Sequence, residues 1–157
     1  MSFEKSEFYY RVYGLDVKSE IKIDEFVPIE NINVENKVNI VYANMPLNIK
    51  EDIKNNKKSS FSKAECWFHI NDVATYRVTG GNLIEFEPCE NADPYLLRVF
   101  LMCSCLGFIM IQRDIVAIHG GTIVIDNKAI ILTGNRGAGK STLTTGLRLK
   151  GYPFISD

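Results

Sequence analysis

Three short runs with apolar and aromatic residues among polar ones, AECWFHI (64–70), VATYRVT (73–79) and NLIEFEP (82–88), are separated by the turn residues Asn71-Asp72 and Gly80-Gly81. Such runs punctuated by turns predict an antiparallel β-meander. Two earlier runs rich in β-branched and aromatic residues, FYYRVYG (8–14) and VNIVYA (38–43), predict further strands. The polar stretch 48–63, NIKEDIKNNKKSSFSK, reads as an exposed connection. Its clustered lysines lack the aromatic interleaving of a nucleic-acid surface. His69 alternates with Phe68 and Ile70, so it is expected on the wetter side of the sheet in a structural role.

The period changes after Asp93-Pro94, an N-cap followed by proline at the first helical position. The apolar stretch that follows to Arg113 predicts a helix of about 18–20 residues. Arg98, Gln112 and Arg113 share one side of it with Met102, Cys105 and Ile109. The helix is therefore apolar nearly all round and expected to be buried between layers. Cys103 and Cys105 are read as small core residues, and Gly107 as a point where another element approaches. The uncharged apolar run from Val99 to Ile111 is 13 residues long, short of the roughly 20 that cross a bilayer.

Residues 115–157 read IVAIHGGTIVIDNKAIILTGNRGAGKSTLTTGLRLKGYPFISD. The apolar runs 122–125 and 129–132 about the turn Asp126-Asn127 predict a hairpin whose second strand ends at Thr133. Directly after it, Gly134-Asn135-Arg136-Gly137-Ala138-Gly139-Lys140-Ser141 matches G-x-x-x-x-G-K-[ST] at every fixed position. A helix-forming stretch, 141–150, follows and stops at Gly151. This is the pattern of a phosphate loop. Glycines at 134, 137 and 139 let the backbone approach an anion with no Cβ in the way, and the amides at the helix start point at it along a favourable dipole. Lys140 is expected to bridge β- and γ-phosphate oxygens. Ser141 is expected to hold Mg²⁺, and Thr142 to continue the helix near the α-phosphate. Arg136 reads either as an exposed side chain or as a contact to nucleotide or substrate.

Composition adds boundaries. The chain has 157 residues, 46% apolar and 24% charged, which fits a folded globular protein. Its net charge is −1, so no overall field favours nucleic acid or an anionic membrane. Residues 1–90 hold 11 basic and 15 acidic side chains, whereas residues 91–157 hold 7 and 4. The phosphate-loop half is thus the more hospitable to an anion. Cys66, Cys89, Cys103 and Cys105 form no C-x-x-C pair, and with His69 and His119 they give no zinc spacing. Residues 1–20 contain no apolar core of a secretory signal, so a cytoplasmic setting is expected.

Four features together resemble the kinase domain of HPr kinase/phosphorylase, the bacterial serine kinase whose core is similar to that of ATP-dependent phosphoenolpyruvate carboxykinase. They are Ile118-His119-Gly120 before the hairpin, the hairpin itself, TGNRGAGKS, and KGYPFISD with its closing aspartate. The resemblance covers residues 115–157. Residues 64–113 look like the N-terminal part of HPr-kinase-related proteins, some of which accompany peptide-modifying gene clusters. The resemblance implies that His119 is the active-site histidine. It also implies that Asp157 is the first aspartate of the family's pair, which activates the substrate serine and contacts the metal. From the residues alone, His119 reads as a core or hydrogen-bonded histidine, and the alternative reading of Asp157 is a chain-end carboxylate. Thr142 stands where true HPr kinases carry glutamate, and residues 1–90 do not resemble their regulatory domain, so HPr itself is not implied as substrate.

The expected fold is α/β. A mainly antiparallel β-rich domain spans 1–90, and a buried linking helix with the first, incomplete part of an HPr-kinase-like phosphate-loop core spans 91–157. The expected function is transfer of the γ-phosphoryl group of ATP, with Mg²⁺, to a serine hydroxyl of a protein or peptide. The alternatives are a nucleotide-binding module without transferase activity and a small-molecule kinase or carboxykinase relative. The chain reads as the N-terminal part of a longer kinase or as a truncated gene product. By itself it is expected to transfer little phosphate, to self-associate through an unpaired sheet edge, and to bind neither nucleic acid nor membrane.

Overall fold

In the computed structural model, which describes residues 7–30, 36–116, 118 and 120–156, each expected run of β-branched and aromatic residues forms a strand. The chain divides into two compact units, Met1–Val116 and Ala117–Asp157. In the first, β1 (Phe8–Val12) turns at Tyr13-Gly14, both with positive φ, into β2 (Leu15–Ser19). A two-residue strand, β3 (Val27–Pro28), pairs on the far side of β1. The central strand β4 (Lys37–Tyr42) follows.

Helix α1 (Leu47–Lys54) and strand β5 (Ser59–Phe61) occupy the stretch expected to be an open connection. The reason lies in tertiary contacts. Ile49 and Ile53, one helical turn apart, join Met45 against Trp67 in a small second core, and Ser60 pairs with Trp67 across the sheet edge. An i, i+4 apolar pair among lysines is weak alone and becomes decisive once an indole is there to cover it.

The meander then runs as β6 (Glu65–Ile70), β7 (Ala74–Thr79) and β8 (Leu83–Pro88). The eight strands form one sheet in the order β3-β1-β2-β4-β8-β7-β6-β5. Strand β4 lies parallel to both β2 and β8, and the other pairings are antiparallel. The unit is thus mixed α/β with a mostly antiparallel sheet.

Helices α2 (Pro94–Phe100) and α3 (Leu106–Gln112) are joined without a break by a π-helical turn, Leu101–Cys105. Asp93 caps the start by accepting from the Tyr95 amide at 2.8 Å. One face of this span buries Leu97, Leu101, Cys105, Leu106 and Ile109 against Val38, Ile40, Tyr76, Val78, Ile84 and Phe86 of the sheet. Full burial of each such side chain contributes about 1.5–3 kcal/mol. Phe68 stacks on Tyr76 and meets Phe100 and Phe108 from the helix, while its neighbour Trp67 points to the opposite face and α1. The far end is tied down by Gln112, whose side chain donates to the Val78 carbonyl and accepts from the Gly81 amide.

Three expectations for this span are corrected. Only 33% of it is buried, and Tyr95, Leu96 and Ile111 are exposed, so it covers one face of the sheet and is not enclosed between layers. Cys105 is in the core but Cys103 is exposed, because two positions span more than half a helical turn and so place the pair on opposite sides of the helix. Nothing approaches Gly107 within 4 Å of where a Cβ would sit. Length and composition alone would let Pro94–Gln112 cross a membrane, yet its apolar face is the lid of this core. The division between units falls after Val116, whereas the sequence pattern predicts it after residue 90, with the helix on the phosphate-loop side.

Candidate phosphate-binding site

The second unit opens with β9 (Gly121–Ile125), which turns through Asp126 and Asn127, at φ 50° and 59°, into β10 (Lys128–Leu132). Two consecutive positive φ values make the two-residue turn that matches strand twist, and Asp-Asn tolerates them. The chain then passes through residues 133–139 into α4 (Lys140–Leu149). That helix ends at Gly151, φ 91°, where the Gly151 amide bonds the Arg148 carbonyl and the Tyr152 amide that of Leu147. Strand β11 (Phe154–Ser156) returns antiparallel along β9, giving a sheet ordered β10-β9-β11. The strand that feeds the loop is therefore an edge of this three-stranded sheet, with Ile130 and Ile131 exposed.

The loop has the backbone its glycines permit. Gly134, Gly137 and Gly139 adopt φ of 153°, 81° and 81°, values that L side chains rarely reach. A turn closes it, the Ala138 amide bonding the Asn135 carbonyl at 3.1 Å, and α4 begins with the Leu143 amide on the Gly139 carbonyl at 2.9 Å. No side chain caps the helix start, which leaves its first amides available to an anion. The Lys140 ammonium folds back over the loop and donates to the carbonyls of Gly134 and Asn135, at 2.8 and 3.0 Å. Asn135, Arg136, Ala138, Ser141 and Thr142 are all exposed, so the loop is an open cradle.

Of the expected site residues, Gly134 through Thr142 are thus brought together in one strand–loop–helix unit. His119 and Asp157 lie outside the described residues. Among the described residues no group of three or more His, Cys, Asp or Glu side chains gathers to hold a metal. The exposed hydroxyl of Ser141, in the first turn of α4, could supply one ligand to a Mg²⁺ ion that keeps several waters and takes other ligands from phosphate oxygens and a carboxylate.

Two residues of this unit, Thr144 and Gly121, and the packing of Gly120 are not read from the sequence. Thr144, 4% exposed, is the buried residue of α4, and its hydroxyl donates to the Lys140 carbonyl at 2.9 Å. It packs on Gly121, while Gly120 abuts the Leu132 backbone. The only sign of this in the sequence is the doublet Gly120-Gly121 opening a strand, where glycine is otherwise unfavourable. No family model, no curated protein and no solved structure matches the chain.

Proposed function

We propose that this chain binds Mg²⁺-ATP at residues 134–142 and serves an HPr-kinase-like transfer of the γ-phosphoryl group to a serine hydroxyl of a protein or peptide. The observation that carries the reading is a complete G-x-x-x-x-G-K-S motif between a strand and a helix, with its three glycines at φ values other residues avoid. The loop amides and the start of α4 take the phosphates. Lys140 leaves the carbonyls of Gly134 and Asn135 for the β- and γ-phosphate oxygens, an exchange of neutral acceptors for charged ones. Ser141 holds the metal and Thr142 lies beside the α-phosphate. When bound, Mg²⁺ neutralises part of the phosphate charge.

Transfer to serine rests on the resemblance of residues 115–157 to the HPr kinase core. In that reading Asp157 accepts the hydroxyl proton of the acceptor and His119 stands beside the reacting groups. Arg136, exposed in the loop, is available to the transferred charge or to the acceptor. The four free cysteines suit a reducing, cytoplasmic setting.

The test is incubation of the protein with γ-labelled ATP, Mg²⁺ and a mixture of serine-containing peptides. Label on serine above the Lys140→Ala background, even at the low rate expected of this chain by itself, supports the kinase. Saturable ATP binding with no labelled serine would leave a nucleotide-binding module and overturn the transferase half of the proposal.

A further inference from the structure

We propose that Gly120 and Gly121 are positioning residues for the phosphate loop, holding its two shoulders at a fixed spacing by being too small to push them apart. This rests on the reading of residues 134–142 as a nucleotide site. Neither glycine has φ in the left-handed region, so conformational freedom does not explain them. Space does. A Cβ on Gly121 would sit 2.2 Å from the Thr144 hydroxyl oxygen and 3.1 Å from both its Cβ and its Cγ2.

The severe contact is with the hydroxyl; the 3.1 Å approach of the Thr144 Cβ, which no rotation changes, needs a shift of only a few tenths of an ångström. Rotating the hydroxyl away breaks its bond to the Lys140 carbonyl at 2.9 Å. Enlargement of residue 121 therefore either displaces the first turn of α4, which carries Lys140 and Ser141, or breaks the bond that ties Thr144 to it. A Cβ on Gly120 would lie 2.5 Å from the Leu132 carbonyl oxygen and 3.1 Å from Ile131 Cγ2. Leu132 is the last residue of β10, two before Gly134. One dipeptide thus touches both the strand end that enters the loop and the helix turn that leaves it. The loop amides bind an anion only when they converge, and that convergence is set by these two contacts.

The experiment compares wild type, Gly121→Ala, Thr144→Ala, Thr144→Ser and the double variant Gly121→Ala/Thr144→Ala, all as the full chain and at a temperature where each is folded by circular dichroism. Calorimetry gives the Mg²⁺-ATP affinity, and hydrogen exchange without nucleotide reads the amides of residues 134–141. Gly121→Ala is expected to lose about tenfold or more in affinity and to exchange faster in the loop. Thr144→Ala removes the 2.2 Å obstacle, so the double variant returns to within about twofold of Thr144→Ala alone. Thr144→Ser, which keeps the hydroxyl, behaves as wild type. A lesion that only lowered global stability would leave both the affinity and the loop exchange of the folded Gly121→Ala protein unchanged.

Wild-type affinity and exchange in a folded Gly121→Ala, or a double variant no better than Gly121→Ala, would overturn the proposal. If Gly121→Ala does not fold, Thr144→Leu enlarges the same contact from the helix side, and unchanged loop exchange there is equally contrary. If the wild-type protein binds no Mg²⁺-ATP, the nucleotide reading fails, and the loop exchange rates still decide whether the glycines set the loop.

Discussion

Lys140 closes the loop onto Gly134: its ammonium donates to the Gly134 carbonyl at 2.8 Å, and to the next carbonyl, of Asn135, at 3.0 Å. These are exposed contacts in a flexible side chain, so they add little to folding. Lys140→Met is expected to change the unliganded stability by no more than about 0.5 kcal/mol in urea unfolding. A loss above about 2 kcal/mol would make Lys140 a structural brace and weaken its assignment to an anion.

Tyr76 is fully buried, and its hydroxyl donates to the Leu97 carbonyl at 3.1 Å, one turn before the π-helical segment. That carbonyl also receives the Leu101 amide, so removing the hydroxyl does not orphan it. Tyr76→Phe should cost about 0.5–1.5 kcal/mol, the net worth of a satisfied bond and not the penalty of an unpaired group. Denaturant midpoints at equal m-value test this. No loss at all would mean that the ring packing alone seats the helix.

Trp67 is the one tryptophan in the chain, and it is 3% exposed beneath Ile49 and Met45. Ile49→Ala leaves a cavity beside the indole and should cost about 2–4 kcal/mol. Tryptophan emission is expected to shift to the red as α1 loosens. An unchanged spectrum together with unchanged stability would mean that α1 contributes nothing to this unit.

The meander and the phosphate loop were legible in the sequence for local reasons. Alternation between Cys66, Phe68 and Ile70 on one face and Trp67 and His69 on the other is a period read directly, and Asn71-Asp72 and Gly80-Gly81 mark the turns. The loop is legible because three glycines, a lysine and a serine at fixed spacing have a chemical reason to be there. What was not legible depends on distant partners. Ile49 and Ile53 form a helix stripe only because Trp67 stands opposite. Cys103 and Cys105 lie on opposite sides of the helix by spacing alone, but which of them is buried depends on which side meets the sheet. Gly121 meets Thr144 across 23 positions, a contact that only the topology brings about.

His69 places its Nδ1 2.9 Å from the Thr75 hydroxyl, and its pKa is held below the ordinary imidazole value, first by partial burial and then by the Lys58 ammonium. The folded chain therefore takes up this proton less readily than the unfolded one. Stability is untouched above the unfolded pKa of about 6.5 and falls as pH drops through it. The urea midpoint of wild type should decline between pH 7.5 and 5.5, modestly because the ring is only partly buried, and His69→Gln should decline less. Equal declines in the two proteins would contradict the assignment.

The central claim is that residues 134–142 bind a nucleotide through its phosphates, and calorimetric titration of the full chain with Mg²⁺-ATP, beside Lys140→Ala, tests it most directly. A lysine donating to phosphate is worth about 1.5–3 kcal/mol, so saturable binding by the wild type and an affinity weaker by about tenfold or more in the folded variant are predicted. Equal affinity in the two proteins, or no binding by the wild type, would contradict the account.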